Sequence, residues 1–149
     1  MIALNRLSRR FGGFTLIELV VVIVILAILA AIAVPRYLDL TTQGHNSAAQ
    51  GVAGSISSGT SINMAARLAG NATATVVNQA NVCTSAILQP FVTGVTLTAV
   101  APTTDTQFQI GASGALPTTC ATTAASVTCN VTPRGTGVTA AQAIVMCAR

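Results

Sequence analysis

A long apolar run with a single carboxylate constrains this chain more than any other feature. From Phe14 to Val34 the sequence reads FTLIELVVVIVILAILAAIAV, and Glu18 is its only ionisable side chain. A helix of about 21 residues spans roughly 30 Å, which matches the hydrocarbon core of a bilayer. A carboxylate in hydrocarbon costs about 2.5 kcal/mol or more unless it finds a partner. The run therefore predicts a membrane-spanning helix in which Glu18 has a specific role.

A basic arm precedes this run. Residues 1–13 contain Arg6, Arg9 and Arg10 and no acid, so the positive-inside bias predicts a cytoplasmic arm and an outward C-terminus. A secretory signal peptide has the same order of charges, but its apolar region is only about 7 to 15 residues long and ends at a small-residue cleavage site. A plain signal anchor explains the length and the arginines. A signal anchor does not explain the Gly12-Gly13-Phe14 junction or Glu18.

The junction itself resembles a known processing signal. The sequence RRFGG at 9–13, followed by FTLIEL at 14–19, is similar to the class III signal of type IV prepilins and pseudopilins. The resemblance implies that a membrane peptidase, the prepilin peptidase, removes residues 1–13 by cutting between Gly13 and Phe14. It also implies N-methylation of the new Phe14 amine. Pro35 falls where this family commonly has a helix-kinking proline.

The freed amine gives Glu18 a partner. The Phe14 amine is a cation in an apolar setting, and the Glu18 carboxylate of a neighbouring subunit can neutralise it. A buried ion pair is better evidence for register than for net stability. Such a head-to-tail contact builds an open helical filament when the rotation between subunits does not close. The alternative is a Glu18 that pairs with its own N-terminus or reaches the headgroups.

Beyond the apolar run, residues 36–69 are predicted to form the second half of the same long helix, after the membrane or filament-core half at 14–35. The residues that fall near one helical face form a thin stripe: Leu38, Thr42, His45, Ala49, Val52, Ile56, Asn63 and Ala66. Glycines interrupt this half, and each costs about 1 kcal/mol relative to Ala. We therefore expect packing against a globular head, rather than intrinsic propensity, to stabilise it.

Residues 70–149 have the short β-favouring runs of a small head. The runs are Thr75 to Val77, Val92 to Val100, Gln107 to Ile110, Ser126 to Val131 and Ala143 to Met146, separated by turn residues. They predict an antiparallel sheet of about four strands that buries one face against the helix. The fold class is therefore α+β, and the resemblance implies the type IV pilin fold.

Four cysteines in the head are expected to form disulfides. Cys83, Cys120, Cys129 and Cys147 all follow the membrane segment, on the side where disulfides persist. Of the three possible connectivities, we favour Cys120 with Cys129 across neighbouring strands and Cys83 with Cys147. Zinc binding and thiol redox chemistry are disfavoured because no Cys-x-x-Cys spacing occurs.

Nothing in the chain predicts catalysis, a metal or a cofactor. His45 has no nearby base or nucleophile, and Asp39 and Asp105 are not a close carboxylate pair. Removal of residues 1–13 leaves four arginines against three acids, so no basic stripe predicts binding to a specific nucleic acid. We expect a structural protein rather than an enzyme.

Three functions remain open: a pilin of a type IV pilus, a pseudopilin of type II secretion, and a membrane-anchored binding domain that does not polymerise. Major pseudopilins have a carboxylate-rich calcium loop, whereas this head has the single acid Asp105, which favours a pilus. The segment at 35–40 and those that follow it resemble mannose-sensitive haemagglutinin (MSHA) type pilins. The implied partners are copies of itself, the prepilin peptidase, the inner membrane and the pilus assembly machinery. The implied location is the inner membrane with a periplasmic head, then a filament on a Gram-negative surface that serves adhesion, motility or DNA uptake.

Overall fold

The computed structural model describes residues 13–114, 118–120 and 124–149. The leader 1–13, with Arg6, Arg9 and Arg10, lies outside these residues except for Gly13. The helices are α1 (Leu16–Leu68), α2 (Ser85–Leu88) and a short 3₁₀ helix (Gln89–Phe91). The strands are β1 (Thr96–Thr98), β2 (Gln107–Ala112), β3 (Ser126–Thr132) and β4 (Ala141–Met146). A long apolar helix with a small mixed sheet confirms the α+β, type IV pilin-like arrangement.

Local signals define both ends of α1. Thr15 and Glu18 exchange hydrogen bonds at its start, and Gly70 adopts a left-handed conformation with φ of 82° just past its end. The Gly70 N–H donates to the Arg67 carbonyl at 2.9 Å, and the Asn71 N–H donates to the Ala66 carbonyl at 3.0 Å. These two bonds are the Schellman motif, in which glycine avoids the Cβ clash of positive φ. The chain divides into two units between Leu38 and Asp39, within α1.

In the second unit, α1 buries a narrow stripe against the head. The buried residues are Ala49, Val52, Ala53, Ile56 and Thr60, spaced as one face of an α-helix requires. Three members of the predicted stripe, Ala49, Val52 and Ile56, are confirmed as core residues. Leu38, also predicted for that stripe, is 62% exposed.

The head contains one four-stranded sheet in the order β1-β2-β3-β4. β2 with β3 and β3 with β4 pair antiparallel, as predicted, but β1 runs parallel to β2. The prediction of an all-antiparallel sheet is therefore wrong at β1. A parallel pair needs a crossover or a longer connection, and residues 99–106 provide a loop that returns the chain to the starting end of β1. The inward side chains form the core with α1, and they are Leu97, Phe108, Ile110, Val127, Cys129, Val131, Ala143 and Val145.

Helix side chains, rather than another strand, hydrogen-bond to the outer edge of β4. The Ile144 N–H donates to Ser57 Oγ at 2.9 Å, and the Met146 N–H donates to Thr60 Oγ1 at 3.2 Å. An edge strand otherwise presents unpaired backbone groups that invite pairing with another chain. α1 therefore contributes polar as well as apolar contacts to the head.

The outer edge of β1 is covered by one amide side chain. The Leu97 N–H donates to Gln89 Oε1 at 2.8 Å, while Gln89 Nε2 donates to the Val95 carbonyl at 2.9 Å. Gln89 lies in the 3₁₀ helix just before the strand. Its side chain therefore provides the donor and acceptor that a neighbouring strand would provide.

The predicted strand at Thr75–Val77 does not form. Thr75 instead makes two bonds to the Asn63 side chain of α1, at 2.7 and 2.8 Å. Val77 makes a single β-bridge with Ala148. The β-favouring residues are present, but the helix side chain occupies the backbone groups with which a strand would pair.

All four cysteines form disulfides, but the predicted pairing is wrong. The bonds join Cys83 to Cys129 and Cys120 to Cys147, with Cα–Cα distances of 5.4 Å in both. The register of β3 and β4 gives the reason. Ser126 pairs with Met146, so Cys147 lies near the start of β3, whereas Cys129 lies opposite Ala143 in its centre. Cys120, which precedes β3, is therefore near Cys147, and Cys129 pairs with Cys83.

Candidate assembly site at the start of the long helix

The first unit exposes an apolar helical surface. Every residue from 13 to 38 is exposed. The mean hydropathy over an 18-residue stretch of α1 is 3.3, and none of that stretch is buried. By length and composition, this helix is able to cross a membrane. Apolar side chains on such a surface require lipid or protein around them. The segment therefore fits membrane anchoring.

Glu18 forms a capping box with Thr15 at the start of α1. The Thr15 N–H donates to Glu18 Oε2 at 2.9 Å, and Thr15 Oγ1–H donates to the same oxygen at 2.7 Å. In return, the Glu18 N–H donates to Thr15 Oγ1 at 3.4 Å. These bonds satisfy N–H groups that have no partner within the helix. They fix the direction of the carboxylate relative to the helix start.

The Gly13–Phe14 bond lies outside α1. Residues 13–15 have no regular secondary structure, and a Cβ added to Gly13 would meet no atom within 4 Å. Phe14 is 91% exposed. A protease needs an extended backbone, which the residues before a helix can provide and helical residues cannot. The geometry at the predicted cut is therefore suitable for cleavage.

Apolar side chains surround the carboxylate. A shallow groove is lined by Phe14, Ile17, Glu18, Val21 and Val22. Within this groove Glu18 is the only charged side chain, and its Oε1 takes none of the three capping bonds. A carboxylate oxygen has several acceptor sites. The site is therefore able to accept a cation from a neighbouring chain while the cap stays intact.

The remaining predicted site residues lie elsewhere. Pro35 is inside α1, and its role as a kink stays a prediction. The cysteines brace the head and, as disulfides, are not zinc ligands. Asp105 is the single acid of the head, in contrast to a carboxylate-rich calcium loop. It pairs with Arg134 at 3.3 Å on the head surface.

The comparisons with known proteins address this first segment. A family model described as the prokaryotic N-terminal methylation motif matches residues 8–34. This match supports a type IV pilin-like prepilin. The matched region contains the junction, the capping box and the whole apolar run, and it ends before the head. Searches of curated proteins and of solved structures gave no match. The motif points to a protein of the pilin or pseudopilin type that a prepilin peptidase processes. An MSHA-type identity is not confirmed.

The sequence reasoning missed Thr15. Thr-x-x-Glu directly before an apolar helical run is the usual pattern of a capping box, and this chain has it as Thr15-Leu16-Ile17-Glu18. The cost of a carboxylate in hydrocarbon predicts a partner for Glu18 but does not distinguish a partner in its own chain from one in another chain. The structure gives Glu18 a partner within its own chain, Thr15.

Proposed function

We propose that this chain is a structural pilin that polymerises into a type IV pilus after cleavage between Gly13 and Phe14 and N-methylation of Phe14. The observation that carries the proposal is the match of the methylation motif to residues 8–34. The exposed junction and the groove around Glu18 support it, because cleavage there creates a cationic amine four residues before the carboxylate. The head supports a pilus over a calcium-binding pseudopilin, since its one acid after residue 69 is paired with Arg134.

In the filament, Glu18 has two roles. Within its own chain it caps α1 through Thr15, and across the contact it neutralises the Phe14 amine of the next copy. The two charges then lie in the apolar environment as a pair, which avoids the cost of burying either charge alone. The contact is heterologous, and such contacts produce filaments when they do not close into a ring.

Two substitutions separate these roles. Glu18→Gln keeps an acceptor for the Thr15 N–H, because capping boxes use Gln as well as Glu, but it removes the charge. Glu18→Ala removes both. We expect both variants to be membrane-inserted and cleaved but to give far fewer sheared filaments than the unchanged protein. A normal filament yield from Glu18→Gln would mean that capping suffices, and the ion-pair account would then be wrong.

The identity of the assembly is tested on sheared cell-surface material. N-terminal sequencing of the filaments is expected to give N-methyl-Phe14 as the first residue. Membrane-bound monomer with the leader intact would contradict the proposal. A short periplasmic assembly whose loss stops secretion would show a pseudopilin instead, and a cleaved protein that never enters filaments would show an anchored binding domain.

A further inference from the structure

The acceptor motif for N-linked glycosylation occurs twice in the head, and the proposed function uses neither copy. The motif is Asn-x-Ser/Thr, where x is any residue except proline. This chain has it as Asn71-Ala72-Thr73 and as Asn130-Val131-Thr132. A three-residue motif also occurs by chance, so the surroundings of each copy decide whether a transferase is able to use it. The structure places the two copies in opposite surroundings.

The first copy lies in an exposed turn. Residues 71–73 follow the end of α1, belong to no helix or strand, and are all exposed. The Ala74 N–H donates to the Asn71 carbonyl at 3.3 Å, which closes the turn. Glycosylated asparagines lie in surface loops, where a large glycan has room. No strand has to be separated from a neighbour for a transferase to bind this turn.

Thr73 hydrogen-bonds to the carboxamide of Asn71. The Thr73 N–H donates to Asn71 Oδ1 at 2.9 Å, and Thr73 Oγ1–H donates to the same oxygen at 2.7 Å. Both bonds use the oxygen, so neither occupies the amide nitrogen Nδ2. Loss of a proton from Nδ2 shifts negative charge to Oδ1, and hydrogen bonds to the charged form of a group favour that form. The turn therefore favours the nucleophilic form of Nδ2 and gives the hydroxyl at the third position a physical role.

The second copy lies in a central strand. Asn130 belongs to β3, where it is opposite Gly111 of β2 and Gln142 of β4. The backbone of this segment is therefore paired on both sides. A transferase that binds the segment as a peptide would have to separate β3 from a neighbouring strand. Asn130 is thus a matched control, with the same motif in the same chain and a different backbone environment.

We propose that Asn71 is the acceptor of an N-linked glycan on the folded head, and that Asn130 is not modified. The donor is an oligosaccharide carried on a polyprenyl pyrophosphate, and an oligosaccharyltransferase catalyses the transfer. Asn71 Nδ2 forms a bond to the anomeric carbon of the first sugar, and the bond from that carbon to the pyrophosphate oxygen breaks. The Nδ2 proton passes to a base of the transferase, and the polyprenyl pyrophosphate leaves. The inference goes beyond the proposed function and shares with it only the outward location of the head.

Mass spectrometry of the protein purified from the cells that naturally produce it tests the site. After reduction, trypsin and chymotrypsin give the fragments 68–91 and 109–134, which separate the two motifs. We expect most copies of 68–91 to carry the mass of one glycan, with fragment ions that place it on Asn71. The fragment 109–134 is expected to have the mass of the unmodified peptide. An unmodified 68–91 would overturn the proposal, and so would a glycan on Asn130, because the fold would then not select the site.

Four substitutions test the chemistry of the site. Asn71→Gln removes the acceptor, and Thr73→Val removes the hydroxyl with little change of shape, so both variants are expected to lose the added mass on 68–91. Thr73→Ser keeps the hydroxyl and should keep the glycan. Asn130→Gln is the control and should leave the glycan unchanged. Thermal unfolding shows that each head is folded. A Thr73→Val variant glycosylated as fully as the unchanged protein would contradict the proposed step.

The outcomes separate this inference from the proposed function. A glycan on Asn71 of a protein that never enters filaments would support this site and contradict the pilin proposal. Filaments built from subunits with an unmodified Asn71 would support the pilin proposal and contradict this inference.

Discussion

Thr60 is fully buried on α1 and shows how much the head depends on single hydroxyl groups. Its Oγ1–H donates to the Ile56 carbonyl at 2.9 Å, and the same oxygen accepts the Met146 N–H at 3.2 Å. Threonine is β-branched and a mediocre helix former. At this position it provides a hydrogen-bond acceptor for the edge strand β4. Hydropathy alone does not predict such a contact.

Thr60→Val is expected to destabilise the head. Valine has nearly the same shape but no acceptor, so the Met146 N–H would be left without its partner, at a cost of about 1 to 3 kcal/mol. Urea unfolding of the detergent-solubilised protein measures the change in the free energy of unfolding. Ser61→Ala is the control, because the Ser61 hydroxyl bonds only to the Ser57 carbonyl on the exposed side of α1. Equal stability of the two variants would contradict this role of Thr60.

At the scale of elements, the four glycines in the second half of α1 are not equivalent. A Cβ added to Gly44, Gly51 or Gly54 would meet no atom within 4 Å. One added to Gly59 would lie 3.1 Å from Phe91 Cβ and 3.3 Å from Phe91 Cδ1. Gly59 therefore permits the close approach of the 3₁₀ helix. At the other three glycines nothing packs against the helix where a Cβ would lie.

Alanine at two of these positions should have different effects. Gly54→Ala adds helix propensity in open space and is expected to raise the free energy of unfolding by about 0.5 to 1 kcal/mol. Gly59→Ala gains the same propensity but presses on Phe91, so we expect it to be no more stable than the unchanged protein. Thermal unfolding of both variants under one condition makes the comparison. A Gly59→Ala variant as stable as Gly54→Ala would show that Phe91 moves aside freely.

The elements that could be predicted from the sequence are those with local causes. The apolar run and the stripe at Ala49, Val52 and Ile56 gave the long helix, and alternating β-branched residues gave β2, β3 and β4. The direction of β1 and the pairing of the cysteines depend on which distant segments meet. The same alternation suits a parallel or an antiparallel neighbour, and four cysteines fit three connectivities until the register of β3 and β4 is known.

Peptide mapping can check the register through the disulfides. Trypsin cuts after Arg67 and Arg134 and chymotrypsin after Phe91 and Phe108, which separates the fragments 68–91, 109–134 and 135–149. The pairing of Cys83 with Cys129 and Cys120 with Cys147 holds all three fragments together without reductant. The pairing predicted from the sequence, Cys120 with Cys129 and Cys83 with Cys147, would release 109–134 alone. The third connectivity also links all three fragments, and fragment-ion spectra of the linked peptides would distinguish it.

At the scale of the whole molecule, the absence of lysine makes the N-terminal amine chemically unique. All seven basic residues are arginines, so the chain contains no lysine. After cleavage at Gly13, the α-amine of Phe14 is the only amine group in the protein. Its state therefore reports on processing, methylation and assembly without interference from side chains.

Reductive methylation with isotope-labelled formaldehyde uses this property. A cleaved but unmodified Phe14 amine would take up two labelled methyl groups, whereas an N-methylated amine is expected to take up one. On the proposed contact, Glu18 of a neighbour covers the amine, so we expect slower labelling in intact filaments than in detergent-dissociated subunits. Mass spectrometry of the peptide 14–36 reads both results. Equal rates in the two samples would count against a covered amine.

Ser57 and Thr60 cover one edge of the sheet, and Gln89 covers the other. Under the proposed function, subunits in the membrane lie among identical copies before assembly, and a sheet with open edges would join them strand to strand. With both edges closed, the heads are expected to remain inert toward one another during this storage. On that proposal, contacts between subunits are expected to form at the helices, so that the subunits stay unassembled until the assembly machinery brings their N-termini together.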